Sequence, residues 1–388
     1  MEFEYSEEQR LIRRSVADLM SDYDRDYWRT HDNDHEFPWS FWKDAARAGW
    51  VSMTLPEEYG GSDSSLQDAA VVLEQMAKCD AGLVPVLPIA RTMFVGEVLA
   101  NYTTEAQRDM FLEDIVTGEA IPAFAITEPG AGFDALGMET RATKTDSGWE
   151  LSGEKVFISG ADIADHVLVV ARTSPKDDSS PSSGISLFMI PTDADGVTVT
   201  PIDKVAIRTE TTTQFFLDDV EVPDDHLIGE RGRGWYHVLD LLNTERITLA
   251  AGLAGAAELA IDMASEYARE REVFDRPIGK NQGIQLPLAE AKVNVTGAWL
   301  QVLRAADVYD RGGEDVGIAA NSAKVAASNA AYEAANVGMQ TFGGWSVTEE
   351  YDINRLWRDA RFFQIGPVSN ELAKTFIAER ELDLPKSY

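Results

Sequence analysis

At 388 residues with 44% hydrophobic side chains, the chain is long enough for two or three domains, or for one large multilayered subunit with a substantial core. Its 66 acidic side chains against 34 basic ones give a formal net charge of −32, a field that repels nucleic acid and anionic lipid and argues against both as partners. The single cysteine, Cys79, excludes an internal disulfide framework and a multi-cysteine zinc or iron–sulfur site; it reads as a buried helix residue rather than a nucleophile.

Of the basic residues 23 are Arg and 11 are Lys. Such acidity keeps a protein soluble where salt screens charge over a few Å. It fits a salt-rich cytoplasm as in halophiles, or simply an acidic mesophilic enzyme. MEFEYSEEQR is acidic where a signal peptide is basic and then apolar, which predicts a cytoplasmic protein.

Residues 1–120 read as a helical domain. Ser6 and Gln9 form a capping box ahead of Leu11, Ile12, Val16, Leu19 and Met20, which recur at helical spacing. PWSFWKDAARAGW and SLQDAAVVLEQMAK continue the pattern, with LPEEYGG as the turn between them. Over residues 121–230 the period changes to two: WELSGEKVFISG, HVLVVAR, GISLFMI, GVTVTPI and TQFFLDDVEV are short, rich in β-branched and aromatic residues, and separated by turns. Residues 231–388 return to long helices, with further spans over 286–311 and 319–341 and a Gly/Ala-rich stretch at 250–257 suited to close helix packing. The order is helical domain, middle β domain, helical bundle, an α+β multi-domain chain without the βαβ repetition of a doubly wound fold.

The run from 238 to 261, VLDLLNTERITLAAGLAGAAELAI, is interrupted by Asp240, Glu245, Arg246 and Glu258 and therefore reads as a buried helix rather than a simple membrane span. On a 3.6-residue period Glu245 shares a stripe with Leu241, Leu249 and Gly252, and Arg246 with Leu242, Ala250 and Leu253. Both charges face packed sides. They are either a structural ion-pair network or a functional pair, because burying an unpaired carboxylate costs several kcal/mol.

AFAITEPGAGFDALG, residues 123–137, joins the helical and β parts; Gly130 and Gly132 let backbone amides approach a ligand, and Thr127 offers a hydroxyl. Its G-x-G-x-x-x-x-G spacing fails as a dinucleotide fingerprint.

Six segments in order carry a resemblance over the whole chain: LPEEYGG at 55–61, ITEPGAGFD at 126–134, GEKVFISGA at 153–161, EREVFDRPIGKNQ at 270–282, QTFGGWSVTEEY at 340–351 and RLWRDARFFQI at 355–365. The chain resembles the acyl-CoA dehydrogenase family. The resemblance implies an N-terminal helical domain, a middle β-barrel-like domain and a C-terminal four-helix bundle, assembled as a tetramer or dimer with FAD between domains and subunits. It implies that the stretch from Phe124 to Phe133, including Ile126, Thr127 and Gly132, lines the flavin, with Thr127 bonding its polar ring edge. Phe157, Ile158 and Ser159 match the family's Trp-x-Thr stretch, with Ser159 near flavin N5 and Phe157 over a ring face; an ordinary inward strand residue is the other reading of Phe157. From a neighbouring subunit, Arg271 would pair with the FAD pyrophosphate, beside Phe274 and Gln282. Gln340, Gly343 and Gly344 would meet the adenosine side.

The family oxidises an acyl thioester, a carboxylate removing the α-proton while the β-hydrogen leaves as hydride. In most members that Glu lies just after the R-D-A-x-x-x-Q-I stretch, where this chain has Pro367. Members similar to the isovaleryl and long-chain types instead carry the base on the bundle helix immediately before an Arg, and Glu245-Arg246 falls at that site. The resemblance therefore assigns Glu245 as base, Arg246 to the helix and substrate-side electrostatics, and Asn243 to the CoA arm. A second departure is Phe133 where the family commonly has Ser; the ring narrows the site near the pantetheine path. Arg355, Arg358 and Arg361 recur every three residues, either to offset the anionic CoA or to bridge to Glu349, Glu350, Asp352 and Asp359. His31 and His35 have a helical metal spacing but read as an exposed connector.

The expected activity is formation of the trans-2-enoyl-CoA in fatty acid β-oxidation, with an electron-transferring flavoprotein as acceptor and a homo-oligomer, tetramer or dimer, as the assembly. The rival readings are a catalytically silent or partner-dependent subunit of a hetero-oligomer, motivated by Pro367 and Phe133, and a flavin monooxygenase on the same fold.

Overall fold

The structure, a computed structural model, describes residues 5–387. Seven helices come first: α1 (Glu7–Met20), α2 (Arg25–Asp34), α3 (Trp39–Arg47), α4 (Leu66–Met76), α5 (Val86–Tyr102), α6 (Glu105–Phe111) and α7 (Glu113–Thr117). The capping box at Ser6 and Gln9 is present in both directions, satisfying orphan amides at the start of α1. Cys79 departs from the helical expectation. It is half-buried in a bend after α4 where its own backbone (φ −83°, ψ 62°) and that of Asp80 (φ 65°) leave the helix.

Eight strands follow: β1 (Pro122–Ala125), β2 (Arg141–Lys144), β3 (Trp149–Ser159), β4 (His166–Arg172), β5 (Ile185–Pro191), β6 (Val197–Ile202), β7 (Thr212–Val222) and β8 (Leu227–Ile228). Their order is β6-β7-β3-β2-β4-β5-β8, with β1 parallel to β4. The two halves meet at the single pair Arg141–Arg172 and fold over one core, in which Leu151, Phe215 and Leu217 join Val167, Val169 and Phe188. The alternate residues of β4 and β5, among them Leu168, Val170, Leu187 and Met189, pack with Phe94, Val98, Val238 and Leu241 in a second core. Burial on both faces is why these two strands are continuous apolar runs rather than alternating ones.

The third part is α8 (Gly234–Glu270), the short hairpin β9 (Glu272–Val273) and β10 (Arg276–Pro277), then α9 (Gln282–Asp310), α10 (Val316–Phe342), α11 (Ile353–Ile365) and α12 (Asn370–Arg380). By length and composition α8 is apolar enough to cross a membrane, but 89% of its apolar window is buried inside this fold. Its small residues are a packing requirement. A Cβ on Gly255 would stand 2.1 Å from the Glu74 carbonyl oxygen, and one on Gly252 2.4 Å from the Val86 side chain.

The three Arg of α11 act within the fold. Arg355 donates to the carbonyls of Ala81 (2.7 Å) and Asp80 (3.0 Å), Arg358 to the Val205 carbonyl (2.8 Å) and to Asp32, and Arg361 to Gln364 (3.2 Å). His31 bonds the Tyr27 carbonyl inside α2, while His35 closes that helix in the left-handed conformation. Among the described residues no three His, Cys, Asp or Glu gather as metal ligands.

Gly255→Ala should destabilise the protein by roughly 1–3 kcal/mol, because helix propensity cannot compensate a clash with an immobile carbonyl. Denaturant unfolding of the purified protein checks this, and an unchanged midpoint would refute the packing account.

Candidate functional site

The loop after β1 is fastened to β3 by a buried ion pair. Lys155 has no exposed surface, and its Nζ donates to Glu128 Oε1 (2.8 Å) and to the Ile126 carbonyl (3.2 Å). Glu128 also accepts from the amides of Glu139 (2.6 Å) and Thr140 (3.0 Å). Burial opposes ionisation of Glu128, yet Lys155 and these amides hold its carboxyl below the usual range. Burial likewise pushes Lys155 down to about 8. The Val156 amide donates to the Thr127 carbonyl (2.9 Å), so the stretches 126–128 and 155–157 lie side by side.

One residue further, β3 bulges. Val156 faces Gln214 and Ile158 faces Thr213, leaving Phe157 as the extra residue at φ 61° with 65% of its surface exposed. This settles the choice between its two readings against an inward strand residue. A non-glycine at positive φ stores about 1–3 kcal/mol of strain, and such bulges re-aim side chains beside active sites. Ile158 is buried behind it and Ser159 is half-buried beyond, where it pairs with Thr212. Thr127 is half-buried opposite, with exposed Gly130, Gly132 and Phe133 along the loop and open space around both glycines.

Helix α5 joins this surface to α8. Phe94 packs edge-on against Phe124 with ring centroids 5.8 Å apart, and one turn later Glu97 accepts from Thr244 (2.7 Å) and Tyr309 (3.2 Å). Burial pushes the Glu97 carboxyl up to about 7. The next residue on α8 is Glu245, 5% exposed, whose Oε2 has no hydrogen-bond partner. Burial raises Glu245 to about 7, with Arg246 and Lys324 acting in the opposite direction. Burial also lowers Arg246 to about 10; its guanidinium donates to Asn243 Oδ1 (3.4 Å). Asn243 itself is half-buried. Lys324 of α10 donates to the Val368 carbonyl and to Asn370 Oδ1 (2.9 Å), tying the turn that carries Pro367 to the same region.

The remaining sequence candidates form a second, separate cluster. Arg271 ends α8, Phe274 is 92% exposed on the hairpin, and Gln282 opens α9. Exposed Gln340, Gly343 and Gly344 lie at the end of α10, and the stacking of Tyr267 on Phe342 (4.3 Å) brings the ends of α8 and α10 together. Along α8 Glu245 and Arg271 are 26 positions apart, or about 39 Å at 1.5 Å per residue.

Sequence reasoning missed Glu97, Glu128, Lys155 and Lys324. Charge within an apolar stretch, the signal that singled out the adjacent pair Glu245 and Arg246, is also present singly at Glu97 in MFVGEVLA and at Lys324 in AANSAKVAASNAA. Lys155 carries no such signal, since it follows Glu154 in a strand that mixes polar and apolar residues.

Because the folded pKa of Glu245 is raised, the folded state holds a proton that the unfolded chain releases between about 4.5 and 7, so this group subtracts stability as pH rises through that window. Glu245→Gln should therefore be more stable than wild type at pH 8, by an amount on the order of 2–3 kcal/mol that shrinks towards pH 5. Denaturant titrations at the two pH values test this; a variant less stable at pH 8 would mean that Glu245 is satisfied in the fold.

Comparison with known proteins matches three adjoining family models: the acyl-CoA dehydrogenase N-terminal domain over residues 6–119, middle domain over 123–220 and C-terminal domain over 232–382. The chain is similar to the acyl-CoA dehydrogenase FadE12 of Mycobacterium tuberculosis, 37% identical over 99% of this chain and 98% of that one. Among solved structures it is similar to butyryl-CoA dehydrogenase from Megasphaera elsdenii, with TM-score 0.92 and 31% identity over 98% of this chain and all of that one. A chain from a structure described as the electron transferring flavoprotein of Acidaminococcus fermentans, on flavin-based electron bifurcation, matches with TM-score 0.92 and 30% identity over 98% and 99%. The hydroxyls of Thr127 and Ser159, the exposed Phe157 ring and the uncrowded glycine loop suit a flat heteroaromatic ring with polar edges, as FAD requires. The chain belongs to the acyl-CoA dehydrogenase family, FAD-dependent oxidoreductases acting on acyl-CoA.

Proposed function

We propose that the protein converts an acyl-CoA thioester to the trans-2-enoyl-CoA with Glu245 as the base, as a cytoplasmic homotetramer or dimer that passes electrons to an electron-transferring flavoprotein. The observation that carries the reading is the Glu245 carboxyl itself: buried, without a hydrogen-bond partner on Oε2, and poised to about 7. A general base works best with its pKa near the operating pH. Pro367, at the family's more usual base position, has no group that accepts a proton.

In this scheme Glu245 takes the α-proton of the bound thioester while Arg246, next to it, stabilises the resulting charges. Bound FAD supplies the acceptor for the β-hydride. Thr127 and Ser159 orient the ring by its polar edges, Phe157 covers one face, and the Phe124–Phe133 stretch closes the site against water. Phe133, half exposed at the mouth, narrows the path where a serine is more usual.

The assembly is part of the proposal. A ring placed against Glu245 cannot reach, through its ribityl chain, a pyrophosphate held by Arg271 of the same chain about 39 Å along α8. Arg271, Phe274, Gln282, Gln340, Gly343 and Gly344 therefore serve a second copy's FAD. The acceptor reading is supported by the similarity to the chain from the Acidaminococcus fermentans flavoprotein structure.

Anaerobic titration of the FAD-loaded protein with short, branched, medium and long acyl-CoA thioesters should bleach the flavin with one class. Glu245→Gln should keep its FAD and lose at least about a hundredfold in the reduction rate, the scale of a removed general base. The wild-type rate should fall as pH drops through about 7, since protonated Glu245 accepts nothing. Failure of every thioester to bleach bound flavin would favour the silent-subunit reading that Pro367 motivates.

A further inference from the structure

Lys324 is a buried ammonium with a neutral shell. It is 1% exposed on α10, and the groups that accept its hydrogen bonds are the Val368 carbonyl and the Asn370 amide oxygen. Asn370, itself buried, accepts also from Ser328 (3.0 Å) and donates to Asn329 Oδ1 (3.1 Å), so its oxygen is fixed towards the lysine. Among the described residues no carboxylate lies within ion-pair distance of Lys324. An ammonium removed from water without a counter-ion in contact is expensive unless another charge repays it.

Helices α8 and α10 run side by side in the same direction, with Tyr267 stacked on Phe342 and Gly338 facing the Ala260 carbonyl, which puts Lys324 level with Glu245; the charged groups that act on Lys324 are Glu245 and Arg246 of α8 and Glu371 and Lys374 of α12. Glu371 and Lys374 are exposed and of opposite sign, so water screens them and their effects oppose each other. Arg246 repels Lys324. That leaves Glu245 as the one buried charge that favours the ammonium, and the ammonium in turn acts on Glu245 alongside Arg246.

We infer that Lys324 is a positioning residue for the proposed reaction: its ammonium, anchored to the turn that carries Pro367, adds from a distance to the charge of Arg246 in favouring the ionised Glu245 carboxylate. Separation is the functional point. A contact ion pair would make the carboxylate a weak base, as it does at Glu128, whereas no cation at all would leave a buried carboxyl protonated at neutral pH. Lys324 is held off by two neutral acceptors, and the turn in which this chain has lost the usual acid becomes the anchor of the charge that supports its replacement.

The inference rests on Glu245 being the base. Its test is the pH dependence of the flavin reduction rate in the FAD-loaded full-length protein, mixed anaerobically with whichever thioester bleaches the wild type. Lys324→Met should move the acidic limb upward by about one pH unit, giving roughly tenfold slower reduction at pH 6.5 and recovery to within about twofold at pH 9. Lys324→Arg, which retains the charge, should keep the wild-type limb. If Lys324→Met does not fold, Asn370→Asp decides, because a carboxylate on the ammonium neutralises it and should move the limb in the same direction. A rate depressed equally at every pH, or an unmoved limb in the folded variant, would overturn the inference and leave Lys324 a structural tether. Normal reduction by Glu245→Gln would instead overturn the base assignment beneath it.

Discussion

A carboxyl group enclosed by protein, 5% exposed on a long core helix, is the constraint around which this molecule is organised. Helix α8 is 37 residues long and packed on most sides, and the small residues of its middle allow α4 and α5 to approach at contact distance. Earlier on the same helix Glu245 is buried as well. Without solvent a carboxyl either takes up a proton or finds a compensating cation, and Arg246 and Lys324 provide partial compensation without direct neutralisation. The result is a group balanced between two protonation states near neutral pH, which a surface glutamate or a tightly paired buried one would not be.

The loop after β1 uses the other solution to the same problem. Lys155 and Glu128 are in contact, with backbone amides taking the remaining lone pairs, so the carboxylate is held ionised and the pair fixes the loop in place. It pins the loop carrying Thr127, Gly132 and Phe133 against β3, one residue before the backbone bulges at Phe157. A left-handed phenylalanine is retained because the strand on both sides of it is over-determined: the Val156 amide is held by Thr127, and Ser159 by its pairing with Thr212. The loop is stiffened by a contact ion pair, whereas the Glu245 carboxyl is only partly compensated.

The three regions are also joined to one another by buried polar contacts. Arg91 of α5 reaches the Pro122 carbonyl and Glu210, Asp359 of α11 holds the Ile207 amide (2.7 Å), and Arg358 spans Asp32 and Val205. Of the arginine series of α11, Arg355 and Arg358 serve such joints, while Arg361 is exposed and bonds Gln364 of its own helix. A basic face for an anionic thioester carrier was one reading of its spacing, but spacing does not say what lies opposite a helix face.

What the residue pattern determined by itself was local and periodic: the capped first helix, the run of short strands in the middle, the long helices after it, and the inward aim of Glu245 and Arg246, since each follows from the 3.6 or 2.0 residue repeat and from the expense of burying charge. The motif order determined the family. Only the tertiary structure decided the matters that depend on register and on distance in space. It turned Phe157 outward, because a one-residue bulge inverts the face that alternation implies. It placed Glu97 and Lys324 in the neighbourhood of Glu245 and Lys155 under the loop, because their partners lie far away in the chain. It also separated Arg271 from Glu245 by the length of a helix, a distance set by the rise of its backbone and not by anything the neighbouring residues spell out.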